Sequence, residues 1–177
     1  MIQRLLPYLS LACFLCLGVA ILRPLPNRSY LNARRVRCQS NLKQIGLALQ
    51  QYAQDYDEHL PLRRWETPLL DYTKESIFQC PSAETNATGE TGDYFFNNRF
   101  LGEPLGKITS PNTLIFVGDG LDNATDATLF SLPTRWRTVR DSPAWRHLDG
   151  ANYSFADGHV KWLKVNRVNR DFRVVSR

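Results

Sequence analysis

The stretch RHLDGANYSFADGHVKWL, residues 146–163, places two histidines, two Asp-Gly pairs and three aromatic residues within eighteen positions. Histidine and aspartate at this density are the side chains of metal ligation and of general acid–base catalysis. A zinc site needs three or four converging ligands, and no His-x3-His or Cys-x2-Cys spacing in the soluble part supplies a first pair. Ser142 and Ser154 are available as nucleophiles, but neither sits in a strand-turn-helix elbow. The residues therefore point away from catalysis, and the chain reads as non-enzymatic with no small-molecule substrate.

The same stretch makes sense as a folding device. Asp157-Gly158 is flanked by alternating apolar residues, a strong short-range hairpin signal. A two-residue turn there pairs Phe155 with Val160, Ser154 with Lys161 and Tyr153 with Trp162, which puts the apolar pairs on one face. Asp157 then tolerates positive φ beside Gly158, and His159 opens the return strand on the solvent side. His147 lies ten residues before Asp157 and meets it only if the chain before Ala151 folds back.

Two further clusters carry binding expectations. GDGLDNATD holds Asp119, Asp122, Asn123 and Asp126, and hard cations such as calcium take several oxygen ligands from flexible loops. The spacing is not that of an EF-hand. Asp119, Asp122 and Asp126 are the calcium candidates, against the alternative of solvated turn residues. Near the C-terminus, Lys161, Lys164, Arg167, Arg170, Arg173 and Arg177 form a cationic series interleaved with Trp162 and Phe172. That composition suits nucleic-acid capture through phosphates and stacked bases, or simply a solvated face.

The elements that must position these residues begin with LLPYLSLACFLCLGVAIL, eighteen uncharged residues between Arg4 and Arg23. As a helix the run spans about 27 Å, close to the hydrocarbon thickness of a bilayer. An uncleaved anchor is the reading adopted; a signal peptide lacks its small-x-small cleavage pattern, and a lipoprotein site at Cys13 follows too short an apolar stretch. Arg23, Arg28, Arg34, Arg35 and Arg37 follow the run and only Arg4 precedes it, which by the positive-inside rule keeps the body cytoplasmic. Cysteine usage argues the opposite. Cys38 and Cys80 are the two cysteines of the soluble part, and a disulfide between them would close a loop of about forty residues, contribute about 4 kcal/mol and imply an oxidising compartment. Two reduced core thiols are the alternative.

Residues 1–29 are thus expected to form the anchor and a Pro-containing linker, and 30–60 an amphipathic helix. Its stripe is Leu42, Ile45, Leu49, Tyr52 and Tyr56. Residues 61–177 are expected to form a β-rich region ending in a basic tail, with YFFNN and NTLIFVGDG as strands. The net charge of +5 permits an anionic partner without requiring one.

ARRVRCQSNLKQIGLALQQYAQDYDEHLP resembles the segment that follows the anchor in bacterial prepilin-like proteins. His147, nine residues, then Asp157-Gly158 is similar to the His-x9-Asp-Gly signature of prepilin-type, processing-associated proteins. GANYSFADGHVKWL resembles their C-terminal hairpin, and FQCPS the surroundings of their second cysteine. The resemblance implies a pilin-like α+β fold, with a transmembrane helix, a long amphipathic helix and a small antiparallel sheet. It also implies a periplasmic body on a single-pass inner-membrane anchor, pilin-like partner subunits of a pilus or type II secretion pseudopilus, and calcium in some major pseudopilins. The chain departs from that family in having no Gly-Phe-Thr-Leu-Ile-Glu-like peptidase site and no acidic residue before Asp55. A structural or accessory subunit is therefore weighed against a tethered module that does not polymerise and captures a ligand such as DNA.

Overall fold

The computed structural model describes residues 28–84 and 92–168. The chain divides into two compact units, Met1–Tyr30 and Leu31–Arg177. The expected membrane span falls in the first and lies outside the described residues. Among the described residues no helix is long and apolar enough to cross a membrane.

Helix α1 covers Arg28–Asp55. Its stripe buries Cys38, Leu42, Ile45, Ala48, Leu49 and Ala53, the 3–4 spacing that keeps one face on the core. Tyr52 is half-buried, while Tyr56 lies past the helix end and is exposed. The stop is local. Asp57 and Glu58 take φ values of 51° and 61°, and the Glu58 N–H donates back to the Ala53 carbonyl at 2.8 Å, the long bond of a Schellman-type ending.

The sheet has four strands in the order β1 (Tyr94–Phe96), β2 (Ile115–Asp119), β3 (Gly150–Phe155) and β4 (Val160–Lys164), all neighbours antiparallel. It is covered on both sides. One cluster joins α1 to Tyr94, Phe96, Phe116 and Val117, together with Trp65 and Phe78. A second joins Phe95, Ile115, Ala151, Tyr153 and Phe155 to Leu132, Trp136 and Ala144 of the long β2–β3 connection. An irregularity between Ile115 and Val117 lets consecutive Phe116 and Val117 both serve the helix side.

The hairpin forms where expected, but in a register shifted by one residue. Asn152 faces Trp162, Tyr153 faces Lys161 and Ser154 faces Val160. Asp157 is not among the residues of positive φ; Gly158 is, at 81°. The loop is Ala156-Asp157-Gly158, with Gly158 N–H donating to Phe155 O at 2.8 Å and Phe155 N–H to His159 O at 2.9 Å. This is a type I turn followed by a left-handed glycine, which an Asp-Gly pair serves as well as it serves the two-residue turn. The burial argument for the other register fails because every residue of β3 is buried, polar Asn152 and Ser154 included.

The turn is docked on the helix. The Gly158 carbonyl accepts from Lys43 Nζ at 2.6 Å. A Cβ on Gly46 would come within 2.8 Å of Ser154 Oγ, and one on Gly158 would meet the Gln50 amide nitrogen at 3.0 Å. Small residues at both positions let backbone approach backbone. Gly46→Val is expected to destabilise the fold by about 1–3 kcal/mol through overpacking, and Gly158→Ala by about 1–2 kcal/mol through its left-handed backbone. Urea midpoints measure both; wild-type stability in Gly46→Val would place the helix elsewhere.

Candidate functional site

The turn Pro143–Trp145 delivers Arg146 and His147 to the centre of the molecule. Leu148 and Asp149 follow with φ of 55° and 66°, closing a tight loop in which His147 N–H donates to Gly150 O at 2.8 Å. Trp162 Nε1 donates to the His147 carbonyl at 2.7 Å, and the Arg35 guanidinium lies 5.6 Å from the Trp162 ring centre. The backbone of His147 is therefore pinned to both strands of the hairpin at its open end.

Its side chain is 2% exposed. Nε2 lies 3.4 Å from Asp119 Oδ2 and 3.5 Å from Cys80 Sγ. Cys80 is bonded to Cys38 of α1, with the two Cα atoms 5.3 Å apart. Asp119 ends β2 with no exposure at all; its Oδ2 accepts from Asn152 N–H at 2.6 Å and its Oδ1 has no hydrogen-bond partner. Arg146 donates to the carbonyls of Asp93 at 3.1 Å and Gly120 at 2.5 Å, and it pairs with the Asp122 carboxylate.

Asp93 is the other hub. Its carboxylate accepts from the N–H groups of Cys80 at 2.7 Å and Asn123 at 2.9 Å. Burial pushes its pKa up, and those two hydrogen bonds with the Arg146 charge hold the rise in check. Glu66, 4% exposed, is pushed much further, to about 8, first by burial and then by the charges of Asp126 and Asp93. Its Oε1 has no partner and points at Gly92, where a Cβ would stand 2.7 Å away.

The calcium candidates do not converge. Asp119 serves Asn152 and His147, Asp122 serves Arg146 and the Glu84 N–H, and Asp126 serves the Glu66 N–H at 2.8 Å. Each carboxylate is committed to a different backbone donor or cation, so the loop uses its acids as internal fasteners. The signature residues also part company. His147 sits at the start of β3 and Asp157-Gly158 at its end, a strand about 17 Å long at the usual rise. Asp157 works locally, accepting from the His159 N–H at 3.1 Å and from its ring Nδ1 at 2.5 Å. Ser142 donates to the Trp136 carbonyl and Ser154 is buried against α1.

Lys161, Lys164 and Arg167 are exposed on or just past β4, whereas Arg170, Arg173, Arg177 and Phe172 lie outside the described residues. Trp162 is half-buried between Arg35 and His147, which removes it as a stacking platform for bases. Conversely, Cys38, Cys80 and His147 do come together, with one ligand atom from each all within 4.8 Å of one another. Sequence spacing missed this because the three lie on α1, a loop and the β2–β3 connection. It also missed Asp93, Arg146 and Glu66, which belong to no recognisable spacing pattern.

The architecture is thus an α+β body in which one long helix packs on an antiparallel sheet and is bonded covalently to the loop that precedes β1. Residues 32–76, most of α1 and the turn Thr67–Asp71, match the model of a family described as Protein of unknown function (DUF1559). No curated protein and no solved structure matches the chain.

Because the ionised form of Glu66 is the one burial disfavours, folding is most favourable below about pH 4.5 for this group. That contribution is lost as pH rises from there through about 8. At pH 7 the penalty is of the order of 3 kcal/mol. Glu66→Gln is expected to flatten the fall in urea midpoint between pH 5 and 8; parallel profiles for variant and wild type would refute it. Arg146→Leu leaves Asp122 and two carbonyls without their donor and is expected to destabilise by about 3 kcal/mol at neutral pH, read by the same unfolding curves.

Proposed function

We propose that this chain is a non-enzymatic, membrane-anchored, pilin-like structural or accessory subunit whose α+β body lies in the periplasm. The observation that carries the reading is the arrangement of α1, bonded through Cys38–Cys80 and packed along the antiparallel sheet by one stripe. The match of residues 32–76 is compatible with it, since that family is associated with prepilin- and pseudopilin-like proteins. The charged residues of the central site support it too. Asp93, Asp119, Asp122, Asp126 and Arg146 all bind the protein's own backbone or one another. A buried disulfide favours an oxidising compartment and so an extracytoplasmic body.

The test is made on native membranes. The chain is expected to stay with the inner membrane after alkaline washing and to become sensitive to protease once the outer membrane is opened. Denatured without reductant, it is expected to take up two fewer maleimide-polyethylene glycol groups than after reduction, the difference being Cys38 and Cys80. Equal labelling, or protection of the body in spheroplasts, would place it in the cytoplasm and end the proposal. Sedimentation with or without filaments decides between a polymerising subunit and a tethered accessory.

A further inference from the structure

Within the buried site, His147 is the residue whose surroundings are not accounted for by fastening alone. Its backbone already makes two connections, and the loop would be closed with another side chain in its place. Nε2 can donate one proton or accept one, yet it is placed near two groups of different chemistry, a sulfur at 3.5 Å and a carboxylate oxygen at 3.4 Å.

Those two distances have a geometric meaning. With Zn–S of about 2.3 Å and Zn–N of about 2.05 Å, two ligands at a tetrahedral angle stand about 3.5 Å apart; for nitrogen and carboxylate oxygen the edge is about 3.3 Å. The Cys80–His147 and His147–Asp119 separations each match one edge of a coordination tetrahedron. Cys38, Cys80 and His147 converge within 4.8 Å of one another, and the Asp119 carboxylate would have to rotate toward the sulfurs to join them. The fourth corner is Cys38, whose sulfur is held against Cys80 by the disulfide. In a tetrahedral site two thiolates stand about 3.7 Å apart, so the sulfurs would have to separate by side-chain rotation after the bond is broken. All four residues are at most 3% exposed, as in a closed structural site. The Asp119 oxygen beside His147, Oδ2, also accepts from the Asn152 N–H, while Oδ1 has no hydrogen-bond partner and stands 4.0 Å from Arg146 Nη1.

We propose that Cys38, Cys80 and His147, with Asp119 as fourth ligand, form a closed structural site for zinc or a similar thiophilic divalent ion when the disulfide is reduced. The change of state balances simply. A dithiol reductant gives two electrons and two protons to the disulfide and becomes a disulfide itself, leaving two thiols. The ion then binds both sulfurs as thiolates, displacing two protons, and the imidazole as a neutral ligand. Disulfide and metal are alternative fasteners of α1 at one place. The reduced chain, before any oxidising compartment is reached, would hold its helix by the ion. Zinc in a tetrahedral thiolate and imidazole set contributes folding energy directly, which gives the buried ligand set a purpose in that state.

The experiment uses the full chain in detergent, carrying Cys13→Ser and Cys16→Ser so that no other thiols compete. It is reduced with a phosphine, desalted without oxygen, and mixed with zinc(II) alone or with cobalt(II) alone. The reduced chain is expected to retain about one equivalent of zinc through desalting, to melt higher with zinc than without, and to give cobalt the absorption of tetrahedral thiolate ligation. The oxidised chain should do none of these. His147→Ala and Asp119→Asn are expected to lower zinc affinity by about tenfold or more, with the melting of their oxidised forms showing that they still fold. Retention as tight in Cys38→Ser or in the oxidised chain would overturn the site. So would wild-type affinity in His147→Ala, or a reduced chain that neither holds zinc nor refolds with it. None of these outcomes bears on membrane location or filament assembly, so the site and the proposed function stand or fall apart.

Discussion

A single long helix has only one stripe with which to hold a sheet, and in this protein that stripe has to meet a sheet face that is partly polar. Asp119, Asn152 and Ser154 all lie buried on the helix side of β2 and β3. Apolar burial by Leu42, Ile45 and Leu49 is therefore supplemented at two points. At one, Gly46 and Gly158 allow the hairpin turn to come up against the helix, with Lys43 closing the contact. At the other, the Cys38–Cys80 bond ties the helix to the loop leading into β1. Their spacing along α1 is two turns, so together they define the direction of the helix over the sheet as well as its distance.

The second point is built around buried acids, and the energetic logic differs from one to the next. Asp93 accepts two backbone N–H bonds and lies beside Arg146, so part of what burial takes from its ionised form is returned. Asp119 has the backbone of Asn152 and the His147 ring for one oxygen, and for the other no hydrogen bond but the Arg146 guanidinium at 4.0 Å. Glu66 has neither cation nor donor for its buried oxygen, and it meets the problem by holding its proton, with a pKa pushed to about 8. Three buried carboxyl groups thus show the three available responses to a low-dielectric site: pairing, partial pairing and protonation.

Much of the frame was legible beforehand. The spacing of Leu42, Ile45 and Leu49 marked the buried face of α1, and the β-prone runs around Phe95 and Phe116 became β1 and β2. The pairing of Cys38 with Cys80 followed from their being the two cysteines outside the apolar N-terminal run. The Asp-Gly pair marked the hairpin but gave its register one residue off, because two turn types share those residues and both faces of β3 are covered. The loop acids looked like a cation site because clustering in sequence is all that a sequence displays; in the fold they diverge to separate backbone donors.

What the sequence by itself determined is whatever neighbours within a few residues decide: helix, strands, turn position and the candidates for a covalent link. These follow from 3.6-residue and two-residue periodicity and from the backbone preferences of Gly, Asp and Pro, all of which act locally. Only the tertiary structure decided that His147 should stand between Cys80 and Asp119, that Arg146 should bind across three segments, and that Trp162 should be covered. Those meetings depend on how the thirty residues between β2 and β3 fold back over the sheet edge. No local rule encodes that path, because it is set by which surfaces exclude water together once the helix and the sheet are already in place.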